Sequence, residues 1–181
     1  MTDVYALIDE VIAREGGYSN HSDDRGGATR WGITQAVARK HGYAGNMRSL
    51  PREIAVAIYR DIYWTKPGLD KIADLAPDLA AELFDTAVNM GTRTAIRFLQ
   101  RSLNALQRGD GEALLLLDGV IGARSMTALQ KYLKKRGVKG ERILTRAIDS
   151  LQGAKYIRLA EKRPANRTFL FGWLANRVGT V

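Results

Sequence analysis

Three side chains near the start of the chain have the types and spacing that bond hydrolysis needs. Glu15 stands before Gly16-Gly17-Tyr18, Asp24 lies within Asp23-Asp24-Arg25-Gly26-Gly27, and Thr29 follows it closely. One carboxyl can give a proton, a second can direct a water, and a hydroxyl can hold that water. These are the parts of glycosidic-bond hydrolysis. Each residue also has a plain role: a solvated helix-end glutamate, turn aspartates beside glycines, and a threonine suited to a strand. A calcium loop is a further reading of the aspartates, but the alternating ligands and closing glutamate of an EF-hand are missing. Tyr18 and Trp31 are packing residues or aromatic platforms for sugar rings.

The elements around these residues follow from periodicity. Val4, Leu7, Ile8, Val11 and Ile12 repeat at helical spacing, which predicts a helix over 3–15 with Thr2 or Asp3 as N-cap and Gly16-Gly17 as its end. Glu15 then sits at the negative end of the helix dipole, against a repulsion of about 0.3–1 kcal/mol. Residues 18–33 read as a small hairpin or irregular β-flap, and Gly26, Gly27 and Gly32 permit tight turns and close approach of a substrate. Thr34 caps a short helix to His41. Pro51 begins another, running through Ile54, Ile58 and Ile62 to Tyr63-Trp64, and Lys66-Pro67-Gly68 breaks it.

A weakly patterned stretch covers Leu69–Ala76. Pro77-Asp78 opens a helix that Gly91 stops, and Thr92 caps the next, whose face is Ile96, Leu99, Leu103 and Leu106. Arg108-Gly109-Asp110-Gly111 is a turn cluster and the best internal boundary. Beyond it come Leu114–Leu117, Asp118-Gly119, a helix from Ser125, a basic turn at Gly137–Gly140, a long helix from Glu141 to Arg163, and a last short helix around Phe169–Val178. The pattern is mainly α, with one small β element: a catalytic region over 1–108 and a helical region over 109–181 packed on it.

The totals exclude several classes. With 181 residues and no cysteine, disulfides, thiol catalysis and Cys-ligated zinc are ruled out, and His21 and His41 are too isolated for a metal centre. No apolar run approaches the roughly 18 residues a membrane span needs. The N-terminus lacks the basic and apolar regions of a signal peptide. The net charge of +9 is uneven: −3 over residues 1–90 and +12 over residues 91–181. That asymmetry implies an anionic partner for the C-terminal half, whether nucleic acid, membrane surface or cell-wall polymer.

Glu15-x8-Asp24-x4-Thr29 resembles the Glu–Asp–Thr signature of phage-type lysozymes, which usually place five residues between Asp and Thr. The wider segment EGGYSNHSDDRGGATRWGIT resembles glycoside hydrolase family 108 more specifically, matching its E-G-G-Y and D-x-G-G-x-T-x-x-G-I pattern. FDTAVNMGTRTAIRFLQRSLNAL is similar to that family's D-x-A-V-N-x-G helix junction. LDGVIGARSMTAL is similar to the D-G-x-x-G-x-x-T segment of its peptidoglycan-binding region, departing at Ser125-Met126, and FLFGWLANRV to its closing motif.

The resemblance implies a lysozyme-like α+β fold and an N-acetylmuramidase acting on the β-1,4 bond between N-acetylmuramic acid and N-acetylglucosamine. It implies Glu15 as acid, Asp24 as the water-directing carboxylate and Thr29 as water-holder, with no cofactor and no metal. Tyr18, Asn20, Gly27, Trp31, Tyr63 and Asn89 are the expected substrate contacts, with Asp85 and Trp64 weaker candidates for the opposite cleft wall. The expected partners are bacterial peptidoglycan and, through the basic half, anionic outer-membrane or wall polymers. Nucleic acid is not expected, since no reading motif is present.

A monomer is expected, made in the host cytoplasm and acting at the wall or periplasm as a phage or prophage endolysin. Two alternatives stand beside this: a non-catalytic wall-binding or secretion-accessory protein on the same scaffold, and a lytic transglycosylase, which needs one acid and would leave Asp24 without a role.

Overall fold

The computed structural model describes residues 3–19, 27–107 and 113–179. Asn20, His21, Asp24 and the turn cluster at 108–111 lie outside the described residues. The chain divides into two compact units, one spanning Asp3–Lys66 and the other Pro67–Val181 together with Met1–Thr2. The fold is mainly α with a two-stranded antiparallel sheet, the lysozyme-like class that the motifs imply.

The first unit begins with α1 (Val4–Glu15). Asp3 caps it, its Oδ1 accepting from the amides of Tyr5 and Ala6, and Ile8, Val11 and Ile12 are buried. Gly16, at φ 77°, turns the chain away. Strands β1 (Thr29–Arg30) and β2 (Ile33–Thr34) pair with Thr29 opposite Thr34 and Arg30 opposite Ile33. The link is Trp31-Gly32, and both residues have positive φ, 55° and 74°. This is the condition for a type I′ turn, whose twist matches the strands it joins.

Ser19 adds an isolated bridge on the other side of Thr29, with mutual backbone bonds of 2.9 and 2.8 Å. Thr29 is therefore held by backbone pairing on both sides. Helix α2 (Gln35–Lys40) starts from Thr34, whose Oγ1 accepts from the Val37 amide. Helix α3 (Arg52–Arg60) runs on into a π-helical turn, Asp61–Thr65, with Ile58, Tyr59 and Trp64 buried. Pro51 precedes α3 as its cap residue rather than standing inside the first turn, because its ψ of 143° is extended.

In the second unit the weakly patterned stretch forms a short helix, α4 (Leu69–Ala73), entered through left-handed Gly68. Leu69, Ile72 and Ala76 supply the burial that makes it stable. Helix α5 (Pro77–Met90) has proline in its first turn. Its first-turn amides at Asp78 and Leu79 donate to Glu141 Oε1, 3.0 and 3.4 Å away. Helix α6 (Thr92–Leu106) is preceded by Gly91, so Thr92 is its first helical residue and makes no capping bond, contrary to expectation.

Helix α7 (Ala123–Lys162) breaks its helical geometry only at Gly137. The expected basic turn is thus one kinked residue, since Val138–Gly140 resume the helix. After Pro164–Asn166, α8 (Arg167–Arg177) packs on α7. The core of this unit lies where α5, α6 and α7 meet, around Leu83, Phe84, Leu99, Leu129, Leu144 and Ile148. Each such side chain contributes about 1.5–3 kcal/mol.

Before α7 the chain 113–122 runs without regular structure and is clamped by polar side chains. Asn104 exchanges two bonds with the backbone of Leu115, 2.9 and 2.8 Å long. Buried Gln100 donates to Asp118 Oδ1 at 2.7 Å and to the Val120 carbonyl at 3.0 Å, and its Oε1 accepts from the Gly119 amide at 3.0 Å. Hydrogen bonds from Gln100 and from the Val120 amide hold the Asp118 carboxyl below its ordinary range. Asp118-Gly119 is therefore scaffold.

Candidate active site

Glu15 ends α1 and is solvent-exposed, so its carboxylate is accessible to a ligand. Its aliphatic stem lies against Gly32, the second residue of the hairpin turn. A Cβ built on Gly32 would fall 2.9 Å from Glu15 Cγ and 3.2 Å from Glu15 Cβ, and closer still to the Tyr59 hydroxyl. Only glycine allows this three-way approach, and it is also the residue that best tolerates the φ found there. The β-turn, the end of α1 and the side of α3 thus converge on one point.

Tyr59 and Tyr63 stand one helical turn apart, with ring centroids 5.7 Å apart. Burial first, then the negative charge of Glu15, raises both phenols above their ordinary value. They stay protonated near neutral pH and remain hydrogen-bond donors beside the carboxylate. Tyr63 was expected at the site from the sequence, whereas Tyr59 was not. Its signal was the i, i+4 relation to Tyr63, which puts both on one face of α3 and its π-helical extension. Such π-turns recur at functional sites.

Thr29 is half-buried at the centre of the β element, and its Oγ1 donates a long 3.4 Å bond to the Gly27 carbonyl. The hydroxyl oxygen keeps acceptor capacity for a water. Gly27, at φ 72°, supports this turn. Trp31 is tied by its indole N–H to the Leu50 carbonyl at 3.1 Å, and the Arg30 guanidinium lies 5.1 Å from its ring centroid. Tyr18 carries Arg48 over its ring at 4.5 Å. Both aromatics are accordingly fixed, and each has a cation on one face.

Glu15, Tyr18, Gly27, Thr29, Trp31 and Tyr63 all belong to the Asp3–Lys66 unit. Asp24 and Asn20 lie outside the described residues. Asn89 belongs to the other unit and its amide donates to the Asp85 carbonyl and to Asp85 Oδ2, at 2.8 and 3.0 Å. Asp85 also receives Gln152 and Arg177, 3.3 and 3.4 Å away, and Trp64 is buried. A pocket of about 500 Å³ in the first unit is lined by His41, Tyr43, Glu53, Ile54, Asp61 and their neighbours, without Glu15. Among the described residues no acid-and-histidine group could hold a metal ion, and no helix is long and apolar enough to cross a membrane.

Residues 8–91 match the family model described as Glycosyl hydrolase 108, and residues 94–178 match the Predicted Peptidoglycan domain. The chain is similar to SagA of Brucella abortus, with 28% identity and a TM-score of 0.63, over 95% of this chain and 87% of that one. No match is found among curated proteins. The chain is a glycoside hydrolase acting on peptidoglycan, and its two parts belong to the Glycosyl hydrolase 108 and Predicted Peptidoglycan domain families.

Proposed function

We propose that the chain is an N-acetylmuramidase that cleaves the β-1,4 bond between N-acetylmuramic acid and N-acetylglucosamine with inversion, as a phage or prophage endolysin in host lysis. The observation that supports this most is the packing of Glu15 against Gly32, which couples an accessible helix-end carboxylic acid to the hairpin carrying Thr29. Glu15 protonates the glycosidic oxygen as the bond to the anomeric carbon breaks. Asp24 removes a proton from the water attacking that carbon from the opposite face, and Thr29 accepts a hydrogen bond from the same water. Donation by Tyr59 and Tyr63 orients Glu15 and the sugar above it, and the bound sugar excludes water.

Residues 1–108 carry the catalysis in this proposal, and residues 109–181 carry attachment to the wall. Tyr18, Gly27, Trp31 and Tyr63 contact the glycan, with Asn20 binding its acetamido groups. The basic half accounts for attraction to anionic wall and outer-membrane polymers.

The test is the release of soluble fragments from purified sacculi by the wild type and by Glu15→Gln. Release should fall by about 1,000-fold or more, as expected when a general acid and its positioning are lost together, while the thermal melt stays unchanged. Retained release would remove Glu15 from the mechanism. Proton NMR of the first product should show the α-anomer at the new reducing end. A β-anomer would overturn inversion, and a 1,6-anhydro product would make the enzyme a transglycosylase.

A further inference from the structure

The second unit contains a pocket of about 180 Å³ lined by Asp78, Arg142, Thr145, Arg146 and Asp149. Four of these recur at i, i+3, i+4 and i+7 on α7 and therefore share one helix face. Asp78 faces them from the first turn of α5. The pocket is smaller than the roughly 300–1,000 Å³ of a drug-sized site and suits a single amino-acid residue.

Its charges are balanced but not spent on each other. Among the described residues neither Arg142 nor Arg146 is ion-paired, although Arg146 and Asp149 have a spacing at which side chains can meet. The side chain of Asp78 is likewise unpaired there. Asp149 takes the Gly179 amide at 2.9 Å on one oxygen, while its other oxygen is buried with no donor among the described residues. A buried carboxylate oxygen without a donor calls for an explanation. Burial, together with the nearby charge of Asp85, also raises the Asp149 carboxyl above its ordinary range, as expected where a cationic partner is lacking. Thr145 is buried and its hydroxyl is satisfied by the Glu141 carbonyl, so it shapes the wall.

We propose that this pocket binds the peptide stem of peptidoglycan through a residue bearing both a free carboxylate and a free ammonium. The two guanidinium groups take the carboxylate, matching its planar acceptor geometry, and Asp149 and Asp78 take the ammonium. A purely anionic ligand would leave the aspartates facing like charge, and a purely cationic one would do the same to the arginines. A zwitterionic group satisfies all four. The assignment rests on the reading of the chain as a peptidoglycan-acting protein, and it names the part of the polymer that this unit recognises.

The probe is the soluble tetrapeptide L-Ala-γ-D-Glu-meso-diaminopimelyl-D-Ala, titrated to millimolar concentration into the full-length protein and followed by NMR. Saturable binding is expected, with shifts centred on residues 142–149. Arg142→Gln/Arg146→Gln should weaken it by about tenfold or more, the loss of at least one charge-assisted bond, with an unchanged melt because both positions are exposed. Acetylating the diaminopimelate amine should weaken it similarly.

Equal binding by the double variant, or equal binding of the acetylated peptide, would overturn the assignment. Absence of binding by a wild type that solubilises sacculi would overturn it and leave the hydrolase reading intact. Pocket-dependent binding by a protein that solubilises no sacculi would support the pocket and sink the hydrolase reading instead.

Discussion

Gly32→Ala tests whether the hairpin turn positions Glu15. Two penalties follow from the structure. The φ of 74° is left-handed, which costs a residue with a Cβ about 1–2 kcal/mol. The new methyl would also press on the Tyr59 hydroxyl and approach Glu15 Cγ at 2.9 Å, a distance that neighbouring atoms must move to relieve. Overpacking of this kind costs about 1–3 kcal/mol, for a total of roughly 2–5 kcal/mol. Gly42→Ala is the matched control. It has a φ of 85° but nothing within 4 Å of a built Cβ, so only the backbone penalty applies. Chemical denaturation of both variants gives the difference, expected at about 1–3 kcal/mol. Sacculus release, measured well below either melting temperature, should fall at least tenfold for Gly32→Ala, because Glu15 must shift. It should stay within about twofold for Gly42→Ala, where no neighbour is displaced. Equal stabilities, or full release by Gly32→Ala, would refute the coupling between the turn and the acid.

Glu82 is buried, and desolvation followed by the charges of Asp149 and Asp85 raises its carboxyl to about 8. Below its unfolded value, near 4.5, both states hold the proton. Between there and about 8 only the folded state does, so stability falls as pH rises, by roughly 3–6 kcal/mol across the window. Glu82→Gln should flatten this slope in denaturation curves taken from pH 5 to pH 8, and an unchanged slope would remove Glu82 as its source. Gln100→Leu should destabilise the second unit by about 1–3 kcal/mol, because it strands the buried Gly119 amide; urea midpoints check this. Raising salt from about 20 to 200 mM should cut sacculus release several-fold, through screening of the basic half, with little effect on a small neutral oligosaccharide. Equal salt responses would separate the charge asymmetry from wall attraction.

What was legible in the sequence follows the range of the forces involved. The limits of α1, α5 and α6 are set by nearby residues, so Asp3, Gly16, Pro77 and Gly91 mark them plainly. Helix α4 was not legible, because its five residues carry little periodicity and its stability comes from burying Leu69 and Ile72, with α5 packed beside them. The basic segment at Gly137–Gly140 has the composition of a turn, yet packing of Gly140 and Glu141 draws the helix across it. Glu141 then reaches back to cap α5, a bond spanning 63 positions that no local pattern announces.

The site divides in the same way. Glu15, Gly32 and Thr29 were legible as types at a spacing, but their convergence depends on Tyr59 of α3, whose hydroxyl fills the space a Cβ at Gly32 would need. Trp31 makes the point most sharply. A non-glycine residue at φ 55° in a type I′ turn is strained, and asparagine, aspartate or glycine would fit the turn better. The sequence predicts only an aromatic there. Its conformation is held by the indole bond to Leu50, a residue 19 positions away. Local preference and tertiary contact therefore disagree at Trp31, and the tertiary contact prevails beside the candidate acid. Trp31→Asn should consequently give a turn that suits its own backbone but releases its anchor. If the anchor places the flap, such a hairpin would be well formed and the enzyme slow.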